Sequence, residues 1–297
     1  MKPILTVENL TKRYATFVLD NVSFSLDRGF IMGLIGPNGA GKTTIIKLIL
    51  NLIRRDEGRI ELFGKEHPMD GLEAKQRIGF VFDQPSWYET FTLGEMSRVI
   101  APLYRNWQPN LFSDYLRRFE LDPAAKIESL SKGMKMKYSL AVALSHKAEL
   151  IIMDEPTSGL DPIFRNDLLT ILQENIAKEN TSVLFSSHIT SDLEKAADYI
   201  TFVNHGKLVF SCSKEEVNDM FCVVRGGEDL IDRDIGSMFI SVYHKNNKFS
   251  GLSLREPEIR VTYKEYLQAG KIVIDKPNLE EIMLLTVKGE EDVESGV

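Results

Sequence analysis

The stretch Gly36-Pro37-Asn38-Gly39-Ala40-Gly41-Lys42-Thr43-Thr44 decides how the rest of this chain is read. It satisfies G-x-x-x-x-G-K-[ST] in full. An apolar run, Phe30–Ile35, precedes it, and a helix-like run, Thr44–Leu50, follows. That strand–loop–helix setting is the one the pattern requires. Glycines let backbone N–H groups converge on an anion without side-chain obstruction, and the following helix points its positive N-terminus at the same place. Gly36, Pro37, Asn38, Gly39, Ala40 and Gly41 therefore form a phosphate cradle. Lys42 reaches the β- and γ-phosphates, Thr43 offers its hydroxyl to Mg2+, and Thr44 continues the helix start. A Gly-rich turn with a surface lysine is the plain alternative, and the flanking strand and helix argue against it.

Leu150-Ile151-Ile152-Met153-Asp154-Glu155 supplies the matching carboxylates. Four apolar residues read as a buried strand with two acids at its open end. Alone, such a pair is usually a solvated strand end. Beside a complete phosphate loop, Asp154 is placed to bind Mg2+ through water, and Glu155 to orient and polarise an attacking water.

Outward from these two sites, strand-like and helix-like stretches alternate, which predicts a layered α/β fold. Strands are expected at Ile4–Leu10, Val22–Leu26, Arg59–Phe63, Ile78–Phe82, Ser182–Ser186 and Ile200–Asn204. Between Gln84 and Lys147 only helical patterns occur, around Leu93–Tyr104, Leu111–Leu121 and Lys135–Leu144. Asn204-His205-Gly206 reads as a hairpin turn into Lys207–Phe210. The composition shifts after Ser211. There Lys214–Phe221 reads as a helix, Phe239–Leu254 as a second hairpin turning at Asn246-Asn247, Lys271–Ile274 as a strand and Leu279–Leu285 as a helix after Pro277. Glu290–Val297 is acidic and expected to fray.

The 297 residues carry a net charge of −7, with 43% hydrophobic and 27% charged residues. The segment from Ser211 onward holds a balance of −6 and the first 210 residues −1. Neither part has the overall basic footprint of a nucleic-acid binder. The two cysteines, Cys212 and Cys222, form no disulfide framework or metal cluster and suit the cytoplasm. No run of 18 apolar residues is present, and the start does not read as a secretory signal.

A third motif narrows the class. Leu130-Ser131-Lys132-Gly133-Met134 resembles the L-S-G-G-Q signature of ATP-binding cassette (ABC) ATPases. Asp154-Glu155-Pro156-Thr157-Ser158-Gly159-Leu160-Asp161 resembles that family's second-acid and D-loop run, and Ser186-Ser187-His188 its switch histidine. Tyr14 resembles the aromatic that stacks on adenine. The order and spacing of five motifs agree over residues 4–211. The resemblance implies a P-loop NTPase with a RecA-like core over 1–83 and 148–211, an antiparallel β edge and a helical subdomain over about 84–147. Residues 212–297 are then a small α+β C-terminal extension of regulatory, dimer-stabilising or capping use.

It also implies roles for particular residues. Two cassettes close head to tail over two ATP molecules, so Ser131 and the N–H of Gly133 face the γ-phosphate bound by the other subunit. Ser131 reads independently as an N-cap, which aims a second helix N-terminus at the anion. His188 contacts the γ-phosphate and steadies Glu155, and Asp161 acts across the interface. Three departures stand out. Lys132 and Met134 replace a glycine and a glutamine, and Lys132, Lys135 and Lys137 crowd a helix start where the macrodipole disfavours cations. The metal-sensing Gln or Glu after Ile78–Phe82 is replaced by Asp83, with Gln84 next to it; both are kept as metal candidates.

The chain therefore reads as an ATPase subunit, a homodimer or heterodimer with a second cassette, peripheral to the cytoplasmic face of a membrane through a separate permease. Trp87, Trp107, Tyr88, Phe91 and Tyr104 are aromatic anchors available for that docking. The texture of Ile78–Asp83, Leu130–Lys137 and His188–Leu193 resembles Gram-positive exporters of antibiotics, peptides or toxins. An importer ATPase is the alternative, and a soluble cassette acting on ribosomes or DNA is a weaker one. A GTPase is disfavoured, because Asn247-Lys248 is followed by Phe249-Ser250 rather than completing N-K-x-D.

Overall fold

A computed structural model describes residues 2–67, 71–83, 87–158, 160–179, 181–231 and 238–294. The chain divides into two compact units, Met1–His188 with Lys195–Ser211, and Ile189–Glu194 with Cys212–Val297.

The first unit holds two sheets. Strands β1 (Leu5–Arg13), β2 (Val18–Leu26), β4 (Glu57–Leu62) and β5 (Lys65–Glu66) form an antiparallel sheet in the order β2-β1-β4-β5. The second sheet has the order β10-β9-β3-β8-β7-β6. Its members are β3 (Ile31–Ile35), β6 (Ile78–Val81), β7 (Leu150–Asp154), β8 (Ser182–Ser187), β9 (Tyr199–Asn204) and the hairpin strand β10 (Lys207–Ser213). From β9 to β6 all neighbours are parallel. β3, β7 and β8 are buried along their whole length, as expected of parallel strands covered on both faces. Leu10, Leu19, Met32, Leu34, Ile45, Ile49, Ile60 and Ile152 belong to one apolar cluster that joins both sheets to helix α1 (Lys42–Ile49).

Among the remaining helices of this unit, α2 is Gly71–Gln76, α3 Leu93–Ile100, α4 Pro109–Arg118, α5 Lys132–Leu144 and α6 Pro162–Glu179. α3 begins with a capping box between Thr92 and Glu95. Trp107 packs on Phe112, and Trp87 on Tyr138, inside the helical segment.

Glu149, at the start of β7, ties three connections together. It accepts from Arg77 Nη2 and Arg28 Nη1, each at 2.9 Å. The Arg77 hydrogen bond, then Arg28, hold its carboxyl below the usual value against a partly opposing desolvation. A depressed carboxylate contributes stability that is fully present above its unfolded pKa and lost as pH falls through the folded one. The group is part exposed, so solvent screening limits the effect. Glu149→Gln should cost about 1 kcal/mol at neutral pH, read as a lower urea midpoint. The gap from wild type should close as pH falls from about 5 towards 3.

The second unit is built on an antiparallel sheet in the order β12-β13-β11-β14, with β11 Cys222–Gly227, β12 Ser241–Lys245, β13 Lys248–Ser253 and β14 Ile272–Asp275. Asn246 and Asn247 link β12 to β13 with φ of 52° and 58°, the left-handed pair of a type I′ hairpin. Helices α8 (Lys214–Met220), α9 (Glu256–Thr262), α10 (Lys264–Gln268) and α11 (Leu279–Glu294) complete it, and Thr190–Ala196 (α7) precedes β9 in the chain. Cys222, Val224, Phe249, Ile259, Tyr263 and Ile272 form its core. Burial pushes the Cys222 thiol up to about 11, so it packs as a small apolar residue rather than acting as a nucleophile. α11 runs to Glu294, past the point at Glu290 where fraying was expected to begin, and residues 295–297 lie outside the described residues. Its Gly289 lies so close to β12 that an added Cβ would fall 2.4 Å from Ser241 Cβ. That backbone contact holds the helix beyond Leu285.

Candidate active site

Four parallel strands of the first unit end at one edge, and each delivers part of the site. The phosphate loop leaves β3, Asp83 follows β6, Asp154 and Glu155 end β7, and His188 follows β8. Ligands of open parallel sheets bind outside the carboxyl ends of the strands for this reason.

The loop needs glycine at two points. A Cβ on Gly36 would lie 2.2 Å from Val203 O. Gly41 is at φ +110°, a left-handed conformation that L side chains rarely adopt, directly before α1. A cleft of about 400 Å³ opens beside the loop, lined by Asn38–Thr44 and by Phe17, Asp83, Glu155, Ser158 and His188.

Lys42 is 6% exposed and donates to Gly36 O at 2.8 Å and Pro37 O at 3.2 Å. Its Nζ also lies 3.4 Å from Glu155 Oε1. Thr43 Oγ1 donates to Asp154 Oδ2 at 2.8 Å. Ser186 Oγ donates to Asp154 Oδ1 at 2.7 Å and accepts from Glu155 N at 2.9 Å, which fixes both acids from the neighbouring strand. His188 Nδ1 lies 2.6 Å from Glu155 Oε2. Glu155 has φ 50°, a left-handed conformation unusual for its type, which turns its carboxylate between Lys42 and His188. The hydroxyl–carboxylate pair Thr43–Asp154 is a hard oxygen set suited to Mg2+, which binds through few protein ligands and keeps water and phosphate oxygens for the rest.

The other residues expected at the site are placed as follows. Ser131 caps α5, its Oγ accepting from Met134 N at 3.2 Å. Asp161 Oδ1 accepts from Ile163 N and Phe164 N at 3.1 and 2.9 Å, so it caps α6. Those backbone donors, Phe164 first, hold its carboxyl below the usual value. Among the described residues, Ser131, Gly133 and Asp161 do not line the cleft that contains Lys42. Asp83 lines it, whereas Gln84 lies outside the described residues. Tyr14 is exposed and tilts against Phe17 at 6.4 Å between ring centroids. Phe17 lines the cleft and packs over Gly41, and no motif announces it. One aromatic face beside a phosphate loop is where a base would stack. Phe17→Ala and Tyr14→Ala should each weaken ATP binding, on the order of tenfold, in a fluorescent-nucleotide titration.

A phosphate loop, an acidic strand end and a histidine on adjacent parallel strands define a P-loop nucleotide hydrolase. The family pattern described as ABC transporter matches residues 19–158. The chain is 34% identical over 212 residues to the bacitracin transport ATP-binding protein BcrA of Bacillus licheniformis, covering 70% of this chain and 69% of that one. It is 30% identical over 267 residues to the linearmycin resistance ATP-binding protein LnrL of Bacillus subtilis, covering 87% and 84%. Among solved structures, the ATP-binding subunit of an ABC transporter superposes with a TM-score of 0.67 at 30% identity, over 72% of this chain and 92% of that one. A nucleotide-free ATP-binding cassette gives 0.61 at 25% identity, over 73% and 94%. The chain belongs to the ATP-binding subunits of ABC transporters and is an ATPase.

Proposed function

We propose that this chain binds Mg-ATP at the interface of two cassettes and uses its hydrolysis to drive a separate membrane permease that exports a peptide, antibiotic or toxin. The observation that carries the two-cassette part is the division of the site. Lys42, Thr43, Glu155 and His188 surround one cleft, while Ser131 and Gly133, at the capped N-terminus of α5, are not among the residues that line it. A helix N-terminus carries partial positive charge, and with Ser131 and Gly133 outside this cleft that supports reading the α5 end as facing a phosphate held by a second subunit.

Within the cleft, phosphate oxygens take over the Lys42 donors from Gly36 O and Pro37 O. Thr43 and Asp154 would hold Mg2+, which when bound would supply charge neutralisation at the phosphates. Glu155 accepts the proton of the attacking water, and His188 holds the Glu155 carboxylate in line.

The export reading is supported by relatives named for bacitracin transport and linearmycin resistance. Among the described residues no helix is long and apolar enough to cross a membrane, so the transmembrane path is assigned to a separate chain. The surface for that chain is an apolar groove of about 400 Å³ lined by Phe80, Phe82, Trp87, Leu103, Tyr104 and Val142. Phe80 and Leu103 are exposed there. Of the anchors expected from sequence, Trp87 and Tyr104 line this groove, while Trp107 packs inward on Phe112. The working place is the cytoplasmic face of the membrane, with a homodimer or a paired cassette.

The test is a pull-down of tagged Glu155→Gln chain from its native cell in ATP and mild detergent. A multi-span membrane protein at near-equal stoichiometry is expected. Ribosomal proteins or nucleic acid in its place would overturn the transporter reading.

A further inference from the structure

Two departures from the family pattern touch each other in the first unit. Lys132 stands at a signature glycine and Asp83 at the metal-sensing position, and Lys132 Nζ lies 2.6 Å from Asp83 Oδ1. Two neighbouring contacts run along the same helix. Lys135 Nζ reaches Glu89 Oε1 at 2.9 Å, and Trp87 Nε1 donates to Ser139 Oγ at 3.2 Å. Positions 132, 135 and 139 recur at helical spacing, so one face of α5 is laced to Asp83, Trp87 and Glu89.

The electrostatics make the Lys132–Asp83 contact exchangeable. Lys132 is the first residue of α5, where the positive end of the macrodipole disfavours a cation. The Asp83 carboxylate offsets that repulsion, and so would any other anion. The two side chains keep 49% and 33% of their exposure, so water screens the pair and little holds it against a stronger partner. Each residue also has a second place to act. Asp83 lines the phosphate cleft of its own subunit. Lys132 sits beside Ser131 at the α5 end that serves the other nucleotide.

We propose that Lys132 and Asp83 exchange partners as the two cassettes close. Asp83 turns to the metal of its own cleft once Mg-ATP binds there, and the released Lys132 turns to the γ-phosphate held by the second subunit. Each charge keeps an opposite charge before and after. The exchange couples occupancy of one cleft to nucleotide capture at the other, which makes Lys132 a positioning residue for Asp83 in the open subunit. It rests on the two-cassette reading above.

The experiment is ATP-driven dimerisation on the Glu155→Gln background, followed by light scattering with and without Mg2+. Adding Asp83→Asn frees Lys132 without metal, so the metal-free ATP midpoint should fall about fivefold or more and the response to Mg2+ should shrink. Adding Lys132→Ala should raise the midpoint about tenfold with Mg2+ and clearly less without it, where Asp83 already occupies Lys132, and the double variant should follow Lys132→Ala. An Asp83→Asn variant with an unchanged metal-free midpoint and an unchanged Mg2+ response would overturn the exchange while leaving the dimer intact. If Glu155→Gln alone forms no ATP-dependent dimer, the two-cassette reading fails first and the exchange falls with it.

Discussion

Lys42→Ala is expected to lose ATP binding by roughly 10²- to 10⁴-fold, and turnover with it. The size follows from what the ammonium does. It is a buried cation whose proton donors already point at the loop, on Gly36 O and Pro37 O. With ATP present those donors are expected to serve the β- and γ-phosphates. Two charge-assisted hydrogen bonds at about 1.5–3 kcal/mol each span the stated range. Alanine also leaves Glu155 without the cation 3.4 Å away, so the cleft becomes more negative as the ligand's own charge arrives. A fold change accompanying this loss is not expected, because the backbone of the loop is set by Gly36 and Gly41 rather than by the lysine. Equilibrium dialysis with labelled ATP and an unchanged melting curve check both halves. Full turnover in a pure Lys42→Ala sample would contradict the phosphate-site assignment.

The parts of this site that could be read from sequence are those whose geometry is local. A phosphate loop is one strand, one turn and one helix, so its residues lie within a single stretch. Asp154 and Glu155 are likewise announced by the apolar strand before them. Phe17 was not readable in this way, because it reaches Gly41 through the pairing of separate strands. The Lys132–Asp83 pair joins positions 49 apart in sequence. Neither lysine spacing nor the acid alone indicates it. In the fold, the parallel strands were legible because continuous apolar runs bounded by turns have few other readings. α6 is less so, since the exposed Ile163 lies opposite the buried face of Leu168, Leu169, Ile171 and Leu172 and blurs its apolar stripe. β11 is short and ends in Arg225-Gly226-Gly227. Its identity as a strand comes from pairing with β13 and β14, residues far along the chain. The reach of α11 past Leu285 was hidden for the same reason, because the contact of Gly289 with Ser241 is tertiary.

Glu155→Gln is expected to bind ATP as wild type does and to hydrolyse it about 10²- to 10⁴-fold more slowly. Glutamine keeps the shape of glutamate and tolerates the same backbone, so the φ of 50° and the bond from Glu155 N to Ser186 Oγ survive the change. What is lost is the ability of one oxygen to take a proton from water. His188 does not replace it. Its Nδ1 is already engaged by the position 155 side chain at 2.6 Å. Binding should be spared because the groups proposed to contact phosphate are the loop amides, Lys42 and Thr43. A subunit that binds but does not hydrolyse accumulates in its closed, ATP-bound form, so the variant should appear as a dimer in light scattering with ATP and as a monomer without it. Loss of turnover with retained binding assigns proton transfer to Glu155. Loss of both would show instead that Glu155 organises the cleft through Lys42. Hydrolysis at the wild-type rate would remove Glu155 from the chemistry altogether and leave Asp154 and Asp83 as the only carboxylates described beside the phosphates.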